Sequence, residues 1–362
     1  MSKGIFLWNI ARFSFLPYCK KHYHIHIQGD IPQPPFLIVS NHVSSVDPFL
    51  IGPFLPYPVS WVVAQISFQH PIERFFLRKT GAIPKSKSRP DPATVNAIFQ
   101  IIRQGGIAGL FPEGTITWTG EFQDSLLGSG IERLINNLDV PILGVRIQGA
   151  WLSKPVWALR AREGHVFLHF QTFHDPDVLR FIHHSEWDWQ KEHLIRYSGK
   201  NKALGIERVL WICPQCGGFR TLSGNGDHAV CSSCRQTWAI DEYGFIGGCS
   251  LPEFIHHQDN NFPSFLKSHP FFTIPRVTVV QYDAKTFLMQ RIFRGDLHVS
   301  PDSLACQEIR YKIANTRGIN THFNQILEFL HGDSLVRIKT FYSSYFLYQY
   351  LNFFLERNVT SE

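Results

Sequence analysis

The stretch from Phe36 to Ile51 constrains the fold more than any other. Phe36-Leu37-Ile38-Val39 is a short apolar, partly β-branched run behind Pro35, and it reads as a buried strand. Pro48-Phe49-Leu50-Ile51 follows as a helix start, with proline at the first helical position and Asp47 as N-cap. Asn41 and His42 therefore fall in the turn at the C-terminal end of a strand, the edge at which open α/β sheets bind ligands. His42 and Asp47 stand five residues apart, a spacing that separates them on a regular helix but lets them meet across a strand-turn-helix. A carboxylate on one imidazole nitrogen fixes the tautomer and leaves the other nitrogen free to take a proton. Taken alone, the pair also fits a capping Asp beside a turn His.

A second stretch decides between these readings. Gly106-Ile107-Ala108-Gly109-Leu110 is another short apolar strand, and it ends in Phe111-Pro112-Glu113-Gly114-Thr115. Asn41-His42…Asp47 followed by Phe111–Thr115, each after a strand and with a helix-length segment between, resembles the glycerolipid (PlsC-like, lysophospholipid) acyltransferase family. The resemblance extends to Gly81-Ala82-Ile83-Pro84-Lys85-Ser86-Lys87 and to Val140-Pro141-Ile142-Leu143-Gly144-Val145, and covers roughly the first 200 residues, an ordinary domain size. It implies an α/β domain with a central sheet flanked by helices. It also implies transfer of a fatty acyl group from acyl-CoA or acyl-carrier protein to a hydroxyl of a glycerolipid or lysophospholipid. His42 is then the general base and Asp47 orients it. Glu113, with the Gly114 and Thr115 backbone, positions the acceptor; Phe111 and Pro112 belong to the same site, Asn41 and Ser44 hold the loop, and Lys87 contacts the acceptor's phosphate. The hydroxyl attacks the thioester directly, so catalysis needs no acyl-enzyme and no cofactor. Two positions depart from the family pattern: Ile116 stands where Arg usually follows Thr, and Lys87 where Arg closes the Gly-x-Ile block. Lys is a point charge without the bidentate fork of Arg, so both changes weaken phosphate grip. They also leave room for a non-catalytic lipid- or protein-binding adaptor built on a degenerate acyltransferase domain.

Hydrophobic residues make up 44% of the 362-residue chain and charged ones 18%, enough for a sizeable core and two or three domains. A net charge of +6 favours anionic partners such as headgroups, CoA phosphates or an acidic carrier protein. Nucleic acid is not among the expected partners, since stacking residues near the cysteines are few (Phe219, Trp238). No apolar run reaches the ~18–20 residues that cross a bilayer, and no secretory signal is visible. These features suggest a cytoplasmic protein, peripheral to the inner face of the membrane. An aromatic segment, Gly4–Leu16, fits either an interfacial helix or a core helix, with Phe6, Trp8, Phe13, Phe15, Arg12, Lys20 and Lys21 as its contacts. His22-Tyr23-His24-Ile25-His26-Ile27 alternates as a strand with one His face; no acidic or Cys ligand stands beside it in sequence, so it reads as solvated.

Cys213-x2-Cys216, fourteen residues, then Cys231-x2-Cys234 has the spacing of two knuckles that hold a structural Zn²⁺ tetrahedrally, similar to a zinc ribbon. The expected organisation is an acyltransferase domain at 1–208, a zinc ribbon at 209–247, a Pro-, His- and Asn-rich linker at 248–275, and a β-rich module with a C-terminal helix at 276–362. In element order that last module resembles a pleckstrin-homology (PH) or GRAM module.

Overall fold

The computed structural model describes residues 8–10, 12–14, 16, 17, 19, 23–86, 91–124, 127, 130–322 and 325–359, with side chains to 356. Lys87, His22, Phe6, Phe15, Lys20 and Lys21, named above, lie outside the described residues. The chain forms two compact units, Met1–Pro155 with Ala161–Gly199, and Val156–Arg160 with Lys200–Glu362. The cysteine-bearing stretch shares one unit with everything after it.

The first unit is built on a seven-stranded sheet of β1 (Tyr23–Gln28), β2 (Phe36–Ser40), β3 (Val59–Ala64), β4 (Ile83–Lys85), β5 (Ile107–Leu110), β6 (Ile142–Gln148) and β7 (Gly164–Phe173), in the order β1-β7-β6-β2-β5-β3-β4. Strand β2 lies parallel to both β5 and β6, and β7 runs antiparallel to β6. All five residues of β2 are buried, as expected of a strand covered on both faces and already visible in its unbroken apolar run. Ile98 and Ile102 of helix Pro92–Arg103 and Val178 and Ile182 of helix Asp177–Ile182 pack with Leu37, Val39, Ala108 and Leu110 in one core cluster. Asp91 caps the first of these helices by accepting the Thr94 N–H.

Gly149 turns the chain inward in the left-handed region, and Ala150–Ser153 follows as a short helix with Trp151 only 1% exposed. Helix Glu186–His193 stops where Leu194 takes a positive φ. Asp47 is not the N-cap of helix Asp47–Ile51 but its first residue, with Val46 before it and no side-chain cap.

The second unit holds a three-stranded antiparallel sheet, β8 (Leu222–Asn225), β9 (His228–Cys231) and β10 (Thr237–Ala239). It also holds a seven-stranded antiparallel sheet of β11 (Phe272–Asp283), β12 (Met289–Val299), β13 (Ser303–Cys306), β14 (Ile309–Lys312), β15 (Thr316–His322), β16 (Ile326–His331) and β17 (Ser334–Lys339). Helix Ser344–Val359 follows it. β16 and β17 form a hairpin around Gly332-Asp333, and Thr286–Leu288 is the turn into β12. The linker expected at 248–275 is for the most part a helix, Leu251–Ser268, with a capping box between Ser250 and Glu253. Its Gln258 is fully buried, accepting the Trp211 and Ile212 N–H groups at 2.7 and 3.2 Å and donating to the Val209 carbonyl at 3.3 Å.

In the first unit, Trp61 of β3 lies opposite Gly109 of β5, and a Cβ added at Gly109 would sit 2.6 Å from the indole. Gly109→Ala should therefore cost about 1–3 kcal/mol of unfolding free energy through overpacking, measured by denaturant titration. Wild-type stability in this variant would show that the indole is free to move aside.

Candidate active site and a cysteine cluster

Strands β2 and β5 are adjacent and parallel, so the turns that leave their C-terminal ends meet. The first carries Asn41, His42 and Ser44, and the second carries Phe111–Thr115. Asn41 is 2% exposed and pairs with Ile147 of β6 through both ends of its amide, donating to the carbonyl at 2.9 Å and accepting the N–H at 2.8 Å. It thereby extends the β2–β6 ladder by one side chain and fixes where β2 ends.

His42 comes next. Its Nδ1 lies 2.8 Å from Asp47 Oδ2. The same oxygen accepts the backbone N–H groups of Val43 at 2.8 Å and Ser44 at 2.9 Å. Asp47 is fully buried, so the carboxylate folds the turn around itself and aims the ring in one act. Burial pushes its carboxyl up, opposed by the His42 hydrogen bond and charge and by the two N–H donors. With Nδ1 taken, Nε2 is the nitrogen left to meet a ligand, on a side chain 18% exposed. The Phe111 ring stacks on the imidazole at 4.3 Å and the Trp61 indole on Phe111 at 5.2 Å, making a column of three rings.

Glu113 is 4% exposed, and both of its oxygens are engaged by backbone. Oε1 accepts the His42 N–H at 2.7 Å and Oε2 accepts the Gln123 N–H at 3.1 Å. The Thr117 N–H donates to the His42 carbonyl at 3.1 Å. The stretch 113–117 thus holds the His42 peptide from both sides. Burial pushes the Glu113 carboxyl up to about 8, helped by Asp47 and Asp124 and opposed by the two N–H groups. Between them, Gly114 takes φ +66° and its N–H closes a turn onto the Phe111 carbonyl at 3.1 Å, with Pro112 and Thr115 half-buried on either side. Ile116 is half-buried. The contributions of Trp61, Thr117 and Gln123 escaped the sequence. Gln123 and Thr117 act through main-chain N–H groups, which every non-proline residue has, and Trp61 is placed by the register of β3.

In the second unit, Cys213 and Cys234 have their sulfurs 3.8 Å apart, as do Cys216 and Cys231, and all four lie within 4.8 Å of one another. Disulfides need about 2.05 Å, so these are thiols or thiolates. A zinc tetrahedron with ~2.3 Å bonds has sulfur–sulfur edges of about 3.8 Å, so the residues present fit that ion. Each knuckle closes through a residue in the left-handed region, Gly217 after the first and Arg235 after the second. The Gly217 and Arg235 N–H groups return to the Cys213 and Cys231 carbonyls at 2.9 and 3.0 Å.

Three comparisons bear on this geometry. Residues 22–148 match the Acyltransferase family model. A 1-acyl-sn-glycerol-3-phosphate acyltransferase of Bacillus subtilis (strain 168) is 31% identical over 123 residues, which is 34% of this chain and 60% of the relative's length. A crystal structure of the 1-acyl-sn-glycerophosphate (LPA) acyltransferase PlsC from Thermotoga maritima aligns with a TM-score of 0.42 at 20% identity, over 49% of this chain and 75% of that one. The stretch that matches the family model, residues 22–148, contains His42, Asp47 and the whole of Phe111–Thr115.

Proposed function

We propose that the first unit transfers a fatty acyl group from a thioester, acyl-CoA or acyl-carrier protein, to a hydroxyl of a glycerolipid or lysophospholipid. The observation that carries this is the 2.8 Å contact between His42 Nδ1 and a buried carboxylate, which leaves Nε2 at the strand edge as the base. The acceptor oxygen attacks the thioester carbonyl while its proton passes to Nε2. The tetrahedral intermediate then collapses, the C–S bond breaks, and the departing thiolate takes the proton back from the imidazolium. Asp47 stabilises that imidazolium across a distance that needs no reorganisation. Glu113 acts as a positioning residue that holds the His42 peptide. Lys87 remains the proposed phosphate contact. Among the described residues no helix is long and apolar enough to cross a membrane, and a lipid acceptor is then met at the membrane surface, on its inner face. The adaptor reading leaves this assembled base without a purpose and is not favoured.

In the second unit we propose a structural zinc on Cys213, Cys216, Cys231 and Cys234. Four thiolates fill a tetrahedral sphere and leave no position for a substrate. The likeness of the second unit's larger sheet and last helix to a PH or GRAM module rests on element order alone and belongs with this proposal.

His42→Ala should lower acyl transfer to lysolipid acceptors by ~10²–10⁴-fold with the fold intact. Near-wild-type turnover would end the enzyme reading. Glu113 has a sign of its own: its folded-state value is raised from 4.5 to about 8, so the folded chain keeps a proton that the unfolded chain has released. Its contribution to stability is present below pH 4.5 and lost as pH rises toward 8. Glu113→Gln should flatten the pH dependence of unfolding free energy across that window, and an unchanged slope would contradict the assignment. For the cysteines, Cys216→Ser should remove about one zinc per chain by elemental analysis. Unchanged zinc, or none in the wild type, would remove the metal.

A further inference from the structure

The His face of β1 gains partners that its own sequence neighbourhood does not supply. In the parallel pairing of β1 with β7, His24 lies opposite His165, and His26 sits two residues further along the same face. Glu163, two residues before His165, shares that face. The chain brings the polar ends together in pairs. His26 Nε2 is 2.7 Å from His165 Nδ1, and His24 Nε2 is 3.4 Å from Glu163 Oε1. The His165 ring lies between the other two, with centroids 5.1 Å from His24 and 5.0 Å from His26. The backbone beneath is fixed: Glu163 exchanges two 2.7 Å hydrogen bonds with Ser198, and the Tyr197 hydroxyl donates to the His165 carbonyl at 2.9 Å. Phe167 stacks on His26 at 4.7 Å and limits where that ring can go.

We propose that His24, His26, His165 and Glu163 form a second metal site, for a late first-row divalent cation such as Zn²⁺, Co²⁺ or Ni²⁺. Three imidazoles and one carboxylate are ligands these ions prefer, and they exclude Mg²⁺ and Ca²⁺, which take oxygen. His26 Nε2 and His165 Nδ1 already point at one another. An ion between them spreads the two nitrogens apart to the edge of a coordination polyhedron, about 3.3 Å for bonds of ~2.0 Å. His24 and Glu163 are half-exposed or more (49% and 68% of the side chain) and turn in to complete the sphere. Among the described residues the four cysteines are the only group whose ligand atoms all converge already; the imidazole site closes on the ion. Its place gives it a task. Among the described residues strand β1 is an edge of the sheet, bonded to β7, and an ion held by two residues of β1 and two on the β7 side clamps that edge.

The test uses the untagged full-length chain, stripped of metal and titrated with Co²⁺, whose absorption separates thiolate ligation from imidazole and carboxylate ligation. His26→Ala/His165→Ala should bind one Co²⁺ fewer than the wild type, with any thiolate–cobalt band unchanged. Glu163→Gln should weaken the same event by about tenfold or more. Saturating Zn²⁺ should raise the melting temperature of Cys216→Ser and do so less in the triple variant that adds the two His changes. Circular dichroism of the metal-free proteins checks that the substitutions leave the fold alone. Equal stoichiometry and affinity in wild type and His26→Ala/His165→Ala would overturn the site, as would Zn²⁺ stabilisation of Cys216→Ser that the His changes leave untouched.

Discussion

One carboxylate oxygen, Asp47 Oδ2, organises the site. It is fully buried, and three donors converge on it: the His42 ring and the Val43 and Ser44 N–H groups. Removing a carboxylate from water is costly unless hydrogen bonds and a partner charge compensate, so the turn cannot open without stranding that oxygen. The same constraint that shapes the loop therefore fixes the imidazole. Orientation of the imidazole is a by-product of holding a buried carboxylate, and the helix that begins at Asp47 supplies the origin for it.

The neighbouring strand completes the arrangement from the other side. Glu113 and Thr117 bind the N–H and the C=O of His42, so the His42 peptide belongs as much to the turn after β5 as to that after β2. Asn41 ties the end of β2 to β6 in the same manner. Three adjacent parallel strands thus meet at the Asn41-His42 pair. That convergence depends on register, and register depends on small features such as Gly109 making room for Trp61.

Much of this could be read from the sequence, and the failures have physical causes. The strands β2 and β5 are apolar runs with no competing pattern, and the motifs after them stand out because Pro, Gly and acidic residues rarely follow a buried strand in that order. Asp47 was misassigned as a cap because local sequence cannot show that its carboxylate turns backward to Val43 and Ser44. The helix Leu251–Ser268 was hidden by Pro252, Pro263 and a His-Asn run. The signal was there in Ser250 and Glu253 as a capping box, and in Leu251, Ile255, Gln258, Phe262 and Phe265 at helical spacing, with a buried Gln in place of an apolar residue. His165 and Glu163 could not be joined to His24 and His26 from sequence, because more than a hundred residues and a parallel pairing separate them.

Asp47 is expected to fix His42 as the Nδ1–H tautomer with Nε2 free, and nitrogen-15 NMR of the imidazole reads that state. The neutral ring of the wild type is expected to show a protonated Nδ1 with a downfield, hydrogen-bonded proton and an unprotonated Nε2, and Asp47→Asn is expected to lose that proton's shift and the tautomer preference. A wild-type ring protonated at Nε2, or one indifferent to Asp47→Asn, would contradict the account.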